Sequence, residues 1–179
     1  MADLLQSVTA ADAVVVQIAG DNDTVTIITG GARFALAKVH ARRAAATTPI
    51  ELLRSDSRAT TLVGRAADCA ALAAWRDAPR PIAVRCITGV AGAGKTRLAI
   101  EACAAAEAAG WAAGFAPSGE LTRFHATQNL VHWALPQDAL IVVDYAATSL
   151  AVLREWFALL APERDTRTGG RLRILLLER

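Results

Sequence analysis

Eight consecutive residues carry the strongest chemical signal in this chain: Gly89-Val90-Ala91-Gly92-Ala93-Gly94-Lys95-Thr96 reads G-x-x-x-x-G-K-T. Glycines in these places let the backbone curl so that successive N–H groups face one anion, and a helix opening near Lys95 aims the positive end of its dipole at the same point. This is the pattern of a loop that wraps the phosphates of ATP or GTP. The backbone of Gly89, Val90, Ala91, Gly92, Ala93 and Gly94 is the expected cradle, with Arg97 just beyond it. Lys95 reaches the β and γ phosphates, and Thr96 offers a hydroxyl to Mg²⁺. Four fixed positions coincide by chance in about one chain in a hundred of this size, so the neighbouring residues decide. Residues 81–88 form a β-branched run that ends at the first glycine, and residues 97–109 are rich in Ala, Leu and Glu, all strong helix formers. Strand, loop and helix therefore stand in the order the chemistry needs.

The second half of such a site is an acid that orients the metal. Leu140-Ile141-Val142-Val143-Asp144 is an apolar run that delivers a carboxylate at its end, the Walker B form, and open α/β sheets bind ligands at the carboxyl ends of their strands. Asp144 follows Lys95 by roughly fifty residues with one strand between, which makes Thr96 and Asp144 the expected metal-site pair and Lys95 and Asp144 expected catalytic groups.

The elements that would position these residues alternate. A helix is expected over 67–75 and the loop strand over 81–88. The loop helix follows, then a second strand over 111–115 and a weakly patterned helix over 121–133. A third strand covers 139–143, then a helix over 150–160 with Ser149 as its cap, a loop at 165–170 and a fourth strand over 172–177. In the 150–160 helix, Leu153, Trp156, Phe157 and Leu160 fall on one face. Alternating strands and helices predict an α/β fold with a three-layer parallel sheet. Residues 1–40 read differently, as a small N-terminal β-meander with strands near 14–18, 24–28 and 34–39, which must pack on a neighbour or pair with another chain to be stable. Residues 41–60 read as a linker containing Pro49 and short polar side chains. The phosphate-loop domain is expected over 61–179.

Composition narrows the classes. With 54% hydrophobic and 20% charged residues in a chain of 179, disorder of the whole chain is excluded. A net charge of +2 is too mild to argue for a nucleic-acid surface, and the arginines at 42–43 and 164–173 read as solvated loops. Cys69, Cys86 and Cys103 lack metal-ligand spacing and read as buried thiols; His40, His125 and His132 are scattered. No targeting segment and no membrane span is read, so a cytoplasmic protein is expected.

Val63-Gly64-Arg65, the loop from Gly89 to Thr96, the strand ending Asp144-Tyr145 and the final Leu175-Leu176-Leu177-Glu178-Arg179 together resemble the STAND class of P-loop ATPases, which includes the NACHT and NB-ARC switch proteins and many bacterial defence and signalling ATPases. The resemblance covers about residues 60–179, the nucleotide half. It implies a switch in which ADP holds a closed monomer and exchange for ATP permits oligomerisation. By position, Gly64 and Arg65 would border the adenine or ribose, and Arg179 would be the sensor arginine that reads the γ-phosphate. ATP rather than GTP rests on the resemblance alone.

Two departures are plain. The resemblance implies an acidic residue just after the Walker B Asp, yet Tyr145, Ala146 and Ala147 follow Asp144; slow ATP hydrolysis is therefore expected. Glu178 is the nearest carboxylate by motif order, and its strand position makes it a weak substitute base. The helical and winged-helix parts that close over the nucleotide in that class are not in this sequence, which reads as C-terminally truncated, with self-association or effector and sensor domains as the expected partners. The leading expectation is thus an ATP/ADP switch module. The alternatives are an AAA-type ATPase acting on nucleic acid, a non-catalytic interaction module working through the meander, and, least supported, a small-molecule kinase.

Overall fold

The computed structural model describes residues 15–18, 24–29, 32–38, 62–128, 130, 133, 135–163, 165–166 and 168–179. The expected linker at 41–60 lies outside the described residues. Strands β1 (Val15–Ile18), β2 (Thr24–Thr29) and β3 (Ala32–Ala37) precede helix α1 (Ala66–Asp77). Then come β4 (Ile82–Thr88), α2 (Lys95–Ala108), β5 (Ala112–Phe115), α3 (Glu120–Thr127), β6 (Ala139–Asp144), α4 (Leu150–Leu160) and β7 (Leu172–Glu178). The strands form one sheet in the order β1-β2-β3-β5-β6-β7-β4.

Five strands, β3 to β4 in that order, make a mostly parallel α/β sheet with the four helices. β5, β6, β7 and β4 run parallel, with registers Ala112↔Ala139, Ala139↔Leu172 and Ile82↔Leu172, so all four carboxyl ends emerge on one edge. The sheet is mixed rather than purely parallel, because β3 joins β5 antiparallel through Ala37↔Phe115 and carries the β1–β2 ladder with it.

Alternation along the central strands feeds two cores. Ile141, Val143, Leu172 and Ile174 face α3 and α4, while Leu140, Val142, Leu175 and Leu177 face α1 and α2. Strands buried on both sides need continuous apolar runs, which is what 139–143 and 174–177 supply. On the α3/α4 face, Phe34, Phe124, Trp133 and Trp156 form an aromatic cluster with centroids 4.7–5.9 Å apart. Phe34 comes from β3 and is fully buried, so the N-terminal strands contribute to the main core. Gly114 permits this approach: a Cβ there would meet the Ala37 carbonyl oxygen at 2.8 Å. Glu120 and Arg123 of α3 complete the dock. The Glu120 carboxylate accepts the Ala35 N–H (2.7 Å), and Arg123 donates to the Arg33 carbonyl (2.5 Å).

Three local expectations differ from the structure. The helix expected over 121–133 ends at Thr127, because Gln128 turns extended at φ −132°, ψ 150°. Ser149 makes no capping hydrogen bond; a 3₁₀ turn, Ala146–Ser149, leads into α4 instead. Among the arginines read as solvated, Arg173 is fully buried and Arg171 is partly buried. Arg173 donates to the carbonyls of Arg76 (2.9 Å) and Ala78 (2.5 Å), satisfying the open end of α1, and to that of Leu172 on its own strand (3.1 Å). Arg171 binds Asp138 (2.5 Å) and the Asp77 carbonyl (3.1 Å), and its guanidinium lies 4.7 Å from the centre of the Trp111 ring. Elements meeting at the amino ends of the parallel strands need charged donors where carbonyls converge. The amino edge of the sheet is thereby tied down.

Candidate nucleotide site

At the carboxyl edge, β4 ends at Thr88 and the chain turns through 89–94 into α2. Gly92 (φ 77°) and Gly94 (φ 82°) are left-handed, a conformation that costs other L-residues about 1–2 kcal/mol. Gly94, the N-cap of α2, makes no side-chain capping hydrogen bond. The Lys95 ammonium folds back over the loop and donates to the carbonyls of Gly89 (2.6 Å) and Val90 (2.9 Å).

The opposing wall comes from β6 and β7. The Thr96 hydroxyl donates to Asp144 Oδ2 at 3.1 Å across 48 residues of sequence, and Asp144 Oδ1 accepts the Tyr145 N–H at 3.0 Å. Leu177 is the register partner of Asp144, and Glu178 is that of Thr88. The carboxylate of Glu178 accepts the N–H groups of Ala147 (2.6 Å) and Arg179 (2.9 Å). These two backbone bonds hold its pKa below the ordinary glutamate value, with the positive charges of Arg179 and Lys95 acting the same way. Tyr145 adopts φ 52°, and the Arg179 guanidinium lies 5.8 Å from the centre of its ring.

On the other side of the loop, Arg65 donates to the Ala93 carbonyl (2.7 Å) and pairs with Asp68 (2.8 Å). α1 therefore touches the backbone of the glycine loop through its N-cap residue. A cleft of about 340 Å³, lined in part by Arg65, Asp68, Arg85, Thr88 and Leu98, opens beside this contact. Gly64 is exposed with φ 73°.

No family model, curated protein or solved structure matches the chain. The arrangement of the residues therefore carries the functional argument.

The structure brings Gly89 to Thr96, Asp144 and Arg65 together at one end of the sheet. Arg97 turns away to pair with Glu101 at 3.0 Å, and Arg179 stands over Tyr145. The Arg65 contact to Ala93 and the Glu178 clamp on Ala147 were not legible in the sequence, since both depend on which strand ends lie side by side. Among the described residues, no group of three or more His, Cys, Asp or Glu side chains could hold a metal. Thr96 and Asp144 are two oxygen donors, too few for an all-protein cage. They fit a Mg²⁺ ion that takes its other ligands from phosphate and water. The cysteines are free: Cys103 is buried, and desolvation pushes its thiol pKa up, whereas Cys86 is exposed on β4 rather than buried as expected. His125 contacts Glu155 at 2.8 Å, away from the loop. No helix among the described residues is long and apolar enough to cross a membrane.

Proposed function

We propose that this chain is the nucleotide half of an ATP/ADP switch of STAND type, with a P-loop fold, in which the bound nucleotide controls oligomerisation in bacterial signalling or defence. One observation carries the reading: the Thr96 hydroxyl of the glycine loop and the Asp144 carboxylate, 48 residues apart in sequence, meet at 3.1 Å. A glycine turn before a helix has no reason to face a strand-end carboxylate. A Mg²⁺–phosphate site requires that convergence.

In this reading the amides of 89–94 bind the phosphates, and Lys95 leaves its two loop carbonyls to reach the β and γ phosphates. Thr96 and Asp144 would hold Mg²⁺, directly and through its water shell. Bound there, the ion neutralises charge that develops on the phosphates. Arg65 and the cleft beside it flank the base and ribose, and Arg179 reads the γ-phosphate. With Tyr145 after Asp144, hydrolysis is slow. The protein is a cytoplasmic one whose partners are further copies of itself or attached sensor and effector domains.

The test is sedimentation velocity of wild type in ADP and in ATP with Mg²⁺, beside Lys95→Ala. The switch reading expects association in ATP alone, and only in the wild type. The interaction-module reading has one observation in its favour: among the described residues β1 is one of the two outer strands of the sheet and so offers an edge for pairing. Association indifferent to nucleotide and to Lys95→Ala would favour that alternative and count against the switch.

A further inference from the structure

We propose that Glu178, on the strand beside Asp144, is the carboxylate that orients the attacking water in this chain. The inference rests on the ATP-site reading above and deepens it.

The position that immediately follows Asp144 holds Tyr145, and the next residues through Ser149 are uncharged, so β6 supplies no second acid. β7 lies between β6 and the loop strand β4 in the sheet. Its Glu178 is in register with Thr88, the residue just before the phosphate loop, one position beyond the partner of Asp144. Side chains alternate along a strand. Leu177 shares the α1/α2 face with the residues that pack under the loop helix, and Glu178 points to the opposite face, where the chain leaving Asp144 passes. That is also the side on which a residue following Asp144 would project.

The carboxylate is also held in place. Its two oxygens accept the N–H groups of Ala147 and Arg179, and each retains a lone pair for a water. Lys95 and Arg179 lie near enough to favour its charged form, and those are the two cations assigned to the γ-phosphate. A fixed, ionised acceptor suits phosphoryl transfer, whose loose transition state needs a positioned nucleophile more than a strong base.

The oxygen of a water held by Glu178 forms a bond to the γ-phosphorus. The bond from that phosphorus to the β–γ bridging oxygen breaks, and its electron pair leaves on ADP. The surplus water proton passes by way of the carboxylate to solvent, giving ADP, inorganic phosphate and a proton.

The experiment is single-turnover hydrolysis of ATP with Mg²⁺, together with equilibrium binding of a fluorescent ATP analogue, for wild type, Glu178→Gln and Glu178→Asp. Glutamine keeps an oxygen for the Ala147 N–H while losing the charge. The proposal expects Glu178→Gln to bind within twofold of wild type and to hydrolyse at least about tenfold more slowly, the low side of the usual range because both oxygens already serve backbone donors. Glu178→Asp, which keeps the charge on a shorter arm, falls between them. Hydrolysis by Glu178→Gln within twofold of wild type overturns the proposal. So does a parallel loss of binding and rate in both variants, which would make Glu178 only a clamp on the 146–149 turn. A wild type that binds ATP without hydrolysing it overturns this inference and leaves the switch reading standing; one that binds no nucleotide overturns both.

Discussion

Arg173→Met should destabilise the domain by about 2–4 kcal/mol. The guanidinium is fully buried and makes three well-formed bonds, to the carbonyls of Arg76, Ala78 and Leu172 at 2.9, 2.5 and 3.1 Å. Bonds from a charged donor are worth about 1.5–3 kcal/mol each. Against them stands the cost of burying the cation, several kcal/mol in real proteins; that desolvation also lowers the Arg173 pKa. Replacing a buried ion pair with apolar side chains can be neutral or stabilising, but only when both partners are replaced. Here the partners are backbone carbonyls that methionine leaves without a donor. For a chain of this size the loss corresponds to a fall in Tm of about 5–15 °C. Urea titration followed by tryptophan fluorescence gives the number directly, with the midpoint shifting and the slope unchanged. A variant as stable as wild type would refute the idea that Arg173 satisfies the end of α1.

Three further substitutions probe other parts of the molecule. Gly94→Ala places a Cβ where nothing lies within 4 Å but φ is 82°, so its cost of about 1–2 kcal/mol is conformational. Nucleotide affinity should fall while the fold persists by circular dichroism; unchanged affinity would show that the loop does not need that conformation. Phe34→Ala removes a buried ring packed on Phe124, Trp133 and Trp156 and should cost about 3–5 kcal/mol; a loss under about 1 kcal/mol in urea would mean the N-terminal strands are peripheral to stability. Asp138 is raised by burial but lowered further by its bonds and charge interaction with Arg171, so its folded-state pKa lies below its unfolded one. Its contribution is then complete above about pH 4 and drains away as pH falls through the folded-state value. The stability gap between wild type and Asp138→Asn should therefore be full at neutral pH and narrow below about pH 4; a gap that widens in acid would reverse the sign of the argument.

The pieces nearest the glycine loop were legible because local chemistry determines them. The runs at 81–88, 139–143 and 172–177 read as strands from their apolar residues, and the glycines before Lys95 mark a turn whatever the tertiary fold. The strand order was not legible, since nothing in a linear sequence says that β7 inserts between β6 and β4 or that β3 runs antiparallel beside β5. Arg173 shows the physical limit. A lone arginine inside Leu172-Arg173-Ile174-Leu175 looks solvated until the end of α1 is brought over it, and only tertiary packing supplies those carbonyls. Helix α3 fell short of its expected span because Thr127, Asn129 and Val131 are weak helix formers and no strong apolar face spans them. At the candidate site, spacing in the sequence singled out Lys95, Thr96 and Asp144, of which the structure joins Thr96 and Asp144 at 3.1 Å; Glu178 could be named only as the nearest carboxylate by motif order, and its register with Thr88 comes from the sheet.

The most direct measurement is the nucleotide released when purified wild type and Lys95→Ala are denatured. The account predicts ADP from the wild type and little or none from Lys95→Ala, with both proteins folded before denaturation. A wild type that releases no nucleotide, and that fails to bind added ATP with Mg²⁺, would contradict the claim that the loop at 89–96 and Asp144 form a working phosphate site.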